Sequence, residues 1–525
     1  MRASLVIAAI AACDPSSALH TPGGGNQPWL RDGAECMVCH DGLTTAAGED
    51  VSFGTSWRAS IMANSARDPY WQASVRRELI DHPRAGELIG DECSRCHMPM
   101  DNERARVAGG HGRVFERLGD PLAMDGVTCS LCHQISSARL GDPSSFVGGF
   151  TIDAKGWPAM YGPFDVQPEQ TTVMRSALGV EPVRGDHIRS SELCATCHTL
   201  YTAELDAAGR TIGRFPEQVP YLEWLESSYR GKQTCQDCHM PGVPGPLPIA
   251  SVSPRLRDHL SRHDFRGANF FMLGMLDRHR ADLAVTAPAA TLARVREITE
   301  AFLEQQAARV SVEVSRDGAA LTADVHVENL TGHKLPTAYP SRRAWLHVTV
   351  RDVAGHAVFE SGHLRPDGSI EGNDNDVDGR TFERHHTEIR SAGDVQIYEP
   401  ILGTQAGEVT TGLLSTTQYL KDNRLLPAGF DKAHASGDTD VHGDAAEDPD
   451  FTGGGDHVRY VVSLVGMSGP YTVAAELLYQ PVGFRWAHNL EPYRAAAEPR
   501  RFVGYYDEMA GGTALRLAGA SATAP

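Results

Sequence analysis

Cysteine and histidine recur in this chain at a spacing that suits one chemistry. Cys36-Met-Val-Cys39-His40, Cys93-Ser-Arg-Cys96-His97, Cys129-Ser-Leu-Cys132-His133, Cys194-Ala-Thr-Cys197-His198 and Cys235-Gln-Asp-Cys238-His239 use every cysteine but one. Two thiols one helical turn apart can reach both vinyl groups on one edge of a porphyrin, and the following imidazole can bind the iron. Eleven cysteines scattered at random would give only about 0.01 such pentapeptides. A zinc ribbon does not require His after every second Cys, and a thioredoxin-like redox pair needs one motif. The spacing therefore predicts five covalently bound c-type haems, with His40, His97, His133, His198 and His239 as proximal iron ligands.

What fills each iron's sixth position separates a conductor from an enzyme. A second imidazole closes the haem for electron transfer, whereas an open position admits a substrate. Eighteen of the 23 histidines lie outside the motifs. His187, seven residues before Cys194, His263, after the fifth motif, and His333, in Thr331-Gly-His-Lys-Leu-Pro-Thr337, are the candidate distal ligands. His259 competes with His263, while His82 and His111 read more readily as surface histidines. Met62, Met98 and Met100 could supply a thioether, although methionine on a helix more often packs. Asp374, Asp376 and Asp378 match the front of a calcium loop, but its twelfth position is His385 rather than Glu. Calcium is a candidate cofactor there, against a solvated acidic loop. Asp438 to Asp456 reads as a second acidic run, a disordered surface loop.

These residues need a frame of about two to four domains for 525 residues. Net charge is −19, to which haem propionates would add, and a chain so acidic is a poor nucleic-acid partner. Its bases are mostly Arg, the side chain better suited to clamping propionates in pairs. Arg2, the apolar stretch Leu5 to Ala12 and Cys13 resemble a bacterial lipoprotein signal, so Cys13 is the expected lipidation site and membrane anchor. Residues 1–12 would be the signal and 13–30 a flexible tether. Export fits the haems, which are attached outside the bacterial cytoplasm, and implies a periplasmic or outer-surface protein.

Residues 31–285 form the expected cytochrome domain. From Cys36 to His239 there are 204 residues for five haems, too few to build a conventional core, so the porphyrins must be the core and must lie close together. Helical pieces can be read there, as over 57–79 with Ile61, Trp71 and Val75 on one face. A connecting amphipathic helix is expected within 286–308, with Leu292, Val295, Ile298 and Phe302 on its stripe. The period then switches to two: Val310, Val312 and Val314, a turn at Arg316-Asp-Gly318, then Leu321, Ala323, Val325 and Val327. Residues 309–485 read as an antiparallel β-sandwich, and 486–525 as a partly helical tail. The fold class is α+β multidomain: a haem-packed, mostly helical and loop-rich multihaem domain followed by the sandwich.

Several stretches resemble a family of bacterial multihaem c-type cytochromes with a C-terminal β domain. They are Trp57 to Ala63 with Asp68-Pro69, Asp125 to Cys129, Tyr221 to Trp224 leading to Cys235 through Pro241, Thr331 to Trp345, Lys421 to Pro427 and Tyr505-Tyr506. The resemblance implies electron transfer between a membrane-side donor and a periplasmic or extracellular acceptor, redox partners whose identity it does not give. A more distant similarity to pentahaem nitrite reductases and hydroxylamine oxidoreductases implies, as the alternative, an oxidoreductase of a small nitrogen or sulfur oxyanion at one open haem. Those nitrite reductases typically place Lys where all five motifs here have His. A cytochrome filament subunit is a further alternative.

Overall fold

The computed structural model describes residues 30–153 and 156–525; the expected signal, most of the tether and Cys13 lie outside them. Its first half is built of short helices and two-stranded ribbons, and its second half of longer strands. Each Cys-x-x-Cys starts, ends or follows a helix of a few turns at most. Gly33–His40 and Gly86–His97 finish on their histidines, Cys129–Cys132 and Cys235–His239 span their motifs, and Ser191–Ala195 enters the fourth. A helical turn puts both thiols on one side and carries the imidazole just beyond them.

Local chemistry starts these helices. Asp32 caps Gly33–His40 by accepting from Ala34 N, and Thr234 and Asp237 form a reciprocal capping box ahead of Cys235. The helix expected over 57–79 is broken. Phe53–Arg58 ends early, and a second helix, Pro69–Asp81, begins where Asp68 accepts from Tyr70 N and Trp71 N with Pro at the first helical position. Gly126, at φ +62°, lets the chain into the third motif pass so close to Met62 that a Cβ would lie 2.6 Å from its carbonyl oxygen.

The connecting helix spans Ala289–Gln306 and buries Leu292, Val295, Thr299 and Leu303. Beyond it two sheets face one another. One pairs Ala308–Asp317 with Ala320–Asn329 and then Gly455–Ser463, and ends on the short Glu388–Ile389. The other runs Ala357–Ser361, Arg343–Arg351, Tyr471–Gln480, Leu515–Ala524, with Ile397–Tyr398 also on Arg343–Arg351. Leu321, Ala323, Val325 and Val327 join Leu346, Val348, Val350, Val473 and Ala475 in one buried cluster, the inward face that the alternation predicts. The C-terminal segment differs from the expected tail. It contributes the helix Ala497–Met509, and then Leu515–Ala524 returns as a full strand of the second sheet.

The halves are fastened together. Arg76 makes a two-pronged ion pair with Glu498 at 2.9 Å. Ser228 N donates to Ala428 O at 2.7 Å, and the Tyr229 hydroxyl to Leu330 O at 2.7 Å.

Candidate haem centre

All five motifs open into one continuous cavity of about 990 Å³. Its wall carries the five motif histidines and nine of the ten motif cysteines, together with apolar side chains such as Trp57, Leu131 and Phe302.

Four motif imidazoles are aimed in the same way. The Nδ1 of His40 faces the carbonyl of Ile249 at 2.7 Å, that of His97 faces Ser65 O at 3.0 Å, that of His133 faces Tyr161 O at 2.6 Å, and that of His239 faces Arg266 O. A carbonyl can only accept, so each Nδ1 carries the proton and each Nε2 keeps its lone pair. Fixing the tautomer through the second nitrogen is how metal-ligating histidines are oriented. The Nε2 atoms of these four have no hydrogen-bond partner among the described residues. Ser65 also donates its hydroxyl to the His97 carbonyl at 2.9 Å, and Trp71 stacks on the His97 ring at 4.4 Å and 3°. Burial pushes the imidazolium forms of His97 and His198 down to about 4 and lowers those of His133 and His239, keeping them neutral as ligation requires. His198 has neither ring nitrogen engaged among the described residues.

Two expected distal histidines stand opposite motif histidines. His263 faces His133 with ring centroids 6.5 Å apart and planes 12° from parallel, and His333 faces His239 at 6.2 Å and 11°. Two metal–nitrogen bonds of about 2 Å, with about 1.1 Å from each nitrogen to its ring centre, span about 6.2 Å. Both distal rings repeat the proximal arrangement, with Nδ1 on a carbonyl: Ser261 O at 3.0 Å for His263 and Lys334 O at 2.9 Å for His333. These residues fit haem iron held between two imidazoles.

The remaining candidates lie elsewhere. His187 is outside the cavity wall: its Nε2 donates to Ile135 O at 2.9 Å and its ring meets Tyr161 edge-on. As placed, it faces no motif histidine, because the short helix Asp186–Arg189 turns it toward its own scaffold. His259 lines the cavity with φ +59°. His82 lies against Ser415 and Glu78, and His111 against Glu87. Met62 lines the cavity, whereas Met98 and Met100 are fully buried in packing clusters.

The expected calcium loop is instead an arginine-paired turn. Both Asp376 oxygens bind Arg343, at 2.8 and 2.9 Å, Asp378 binds Arg380, and Asp374 points to solvent from the helical turn Asp374–Val377. Two arginines occupy the oxygens that calcium would need.

A buried charge network went unread in the sequence. Lys334 pairs with Asp422 at 2.7 Å; Arg424 grips Asp422 at 2.7 Å and Glu223 at 3.0 Å; Glu223 accepts from Lys334 N at 3.0 Å and the Thr337 hydroxyl at 2.5 Å. Burial alone would raise Asp422, but Arg424 and Lys334 hold it well below the carboxylate range. The three stretches Tyr221–Trp224, Thr331–Trp345 and Lys421–Pro427 thus meet at one point, directly behind His333. Their shared membership in the resemblance was the only sequence signal.

Helix packing relates several motifs in space. Gly33–His40 packs against Cys129–Cys132, and Ser191–Ala195 against Cys235–His239. The first motif therefore neighbours the third, and the fourth neighbours the fifth.

Among solved structures, the penta-heme cytochrome c552 from Thermochromatium tepidum superposes with a TM-score of 0.51 at 15% identity, covering 95% of this chain and 100% of that one. The chain has the fold of a multihaem cytochrome. No family model matches the sequence, and no curated protein does. At 15% identity the likeness rests on backbone path rather than on side chains, so the assignment of individual histidines comes from the geometry of this multihaem fold itself.

Proposed function

We propose that this protein is an exported pentahaem c-type cytochrome that carries electrons through a continuous chain of haems, from a membrane-side donor to a periplasmic or extracellular acceptor. The observation that carries the reading is the single cavity into which all five motifs open. The motif cysteines would hold the porphyrins and the motif histidines the irons, with His263 and His333 as sixth ligands on two of them. Haem supplies one-electron chemistry; the chain's own residues orient the imidazoles, keep them neutral and bring neighbouring edges together. Packing of the first motif's helix on the third's, and of the fourth's on the fifth's, supports short spacing. Lipid anchoring at Cys13 belongs to the same reading, and so do the unnamed redox partners.

One observation favours a second reading, reduction or oxidation of a small nitrogen or sulfur oxyanion. Among the described residues, only His259, His263 and His333 line the cavity besides the motif histidines. These three imidazoles cannot close five irons, which leaves sixth positions there for a thioether, water or a substrate.

A reductive titration of the fully haem-loaded protein tests the first reading. It should take up five electrons per chain, with all haems reduced through one donor. Uptake of fewer than five, or a haem that never equilibrates with the rest, would refute a continuous chain. Nitrite, hydroxylamine and sulfite turnover then distinguishes the second reading.

A further inference from the structure

On the outer face of the second sheet, outside the lining of the haem cavity, three metal-binding side chains converge. His347 lies on the strand Arg343–Arg351, Glu360 on the neighbouring strand Ala357–Ser361, and His363 just beyond that strand's end. The Nε2 of His347 is 2.9 Å from Glu360 Oε1, and the Nδ1 of His363 is 3.3 Å from the same oxygen. All three ligand atoms lie within 4.8 Å of one another. Ligands bound about 2.0–2.1 Å from a tetrahedral zinc are about 3.3 Å apart. The two histidine–carboxylate distances, 2.9 and 3.3 Å, already lie within a few tenths of an ångström of that, and rotation of the half-exposed His363 ring can bring the two nitrogens to it.

The other nitrogen of His347 is held as well. Strand register places Glu476 directly opposite His347, and its Oε2 lies 3.3 Å from His347 Nδ1. His347 thus stands between two carboxylates and, with the site empty, donates from Nε2 to Glu360; a cation would replace that proton while Glu476 holds the one on Nδ1, the arrangement that supports metal-bound histidine. Arg516 in turn holds Glu476 at 3.3 Å.

A second histidine–carboxylate cluster shows the contrast. His385 lies fully buried beside Asp448 and Asp456. The amide nitrogens of Gln396 and Asn423, at 2.8 and 3.0 Å, donate to its Nδ1. Their orientation is fixed because His386 N and Glu399 N donate to the amide oxygens. His385 therefore carries its proton on Nε2 and donates it to Asp448 at 2.9 Å. That nitrogen is closed to a metal.

We propose that His347, Glu360 and His363 bind a divalent cation of the zinc type, with Glu476 as the positioning residue behind His347. Two imidazoles and one carboxylate form the donor set of an open zinc site, its fourth position left to water or an incoming ligand. His363 is half-exposed, so the cation can enter from solvent without local unfolding.

The test is zinc content of the haem-loaded full chain, stripped with chelator, desalted and equilibrated with zinc chloride alone. Wild type should retain one zinc per chain more than the His347→Ala/His363→Ala variant. Glu360→Gln should bind zinc at least 10-fold more weakly, and Glu476→Gln about 10–100-fold more weakly. An unchanged haem spectrum in each variant shows that the loss is local rather than unfolding. Equal zinc retention by wild type and the double variant would overturn the site, as would unaltered affinity in Glu360→Gln.

Discussion

His239 and His333 face each other with ring centroids 6.2 Å apart and planes 11° from parallel, each with Nδ1 turned to a backbone carbonyl. One residue belongs to the fifth haem motif and the other to a loop between strands of the sandwich. The β half is thus part of the haem centre. His333→Ala should convert one haem from low to high spin, seen as a new high-spin band in resonance Raman spectra; an unchanged spectrum would remove His333 as a ligand. His187→Ala should leave every spin state as it was, because His187 is turned to Ile135.

The His333 loop stands on the buried charges beneath it. Glu223→Gln takes the negative charge away from Arg424 and from the Lys334 amide, all fully buried. Loss of one partner in a buried ion pair costs about 3–5 kcal/mol. Thermal unfolding should show that loss, and the haem next to His333 should shift its spectrum first. Glu498→Gln, which breaks only the half-buried pair with Arg76, should cost far less and leave the haem spectrum alone.

Asp456 provides a pH test away from the haems. Burial pushes its carboxyl from the ordinary 3.8 up to about 7, against the lowering effect of the Tyr398 hydroxyl, and its Oδ1 has no hydrogen-bond partner. The sign follows from a folded value above the unfolded one. The acid is protonated in both states below about 4, so it costs nothing there. Stability then declines as pH rises toward 7, by up to about 4 kcal/mol. Asp456→Asn should melt at the wild-type temperature near pH 4 and above it at pH 8. Equal melting temperatures at pH 8 would contradict the buried acid.

Arg342 lines the cavity, its guanidinium donating to Thr337 O at 2.9 Å and Asn269 Oδ1 at 3.1 Å. A fixed cation beside haem favours the reduced, less positive iron. Arg342→Gln should lower the midpoint potential of a neighbouring haem by tens of millivolts, roughly what one charge gives at an effective dielectric of about 20. An unshifted redox titration would place Arg342 away from the irons.

Much of this was legible from residue types and spacing, and the rest was not for identifiable reasons. The five motifs are local, and the hairpin around Gly318 has a clean period of two, so both could be read directly. Leu515–Ala524 could not: seven of its ten residues are Ala, Gly, Ser or Thr, and pairing with Tyr471–Gln480 makes it a strand. The helix break at Asp68-Pro69 follows from a capping Asp and a first-turn Pro, local signals that interrupt the apolar spacing across 57–79. His263 and His333 stood out as candidates, but their partners depend on chain folding over 130 and 94 residues respectively. The partner of Asp376 was not legible because Arg343, which pairs with it, lies far off in sequence.

The proposed function requires five haems close enough to act as one conductor, and EPR followed through a reductive titration of the fully loaded protein is its sharpest test. Broadened, spin-coupled ferric signals that change shape as neighbouring haems become reduced are expected. Five sharp, independent haem spectra that fade without altering one another would contradict it.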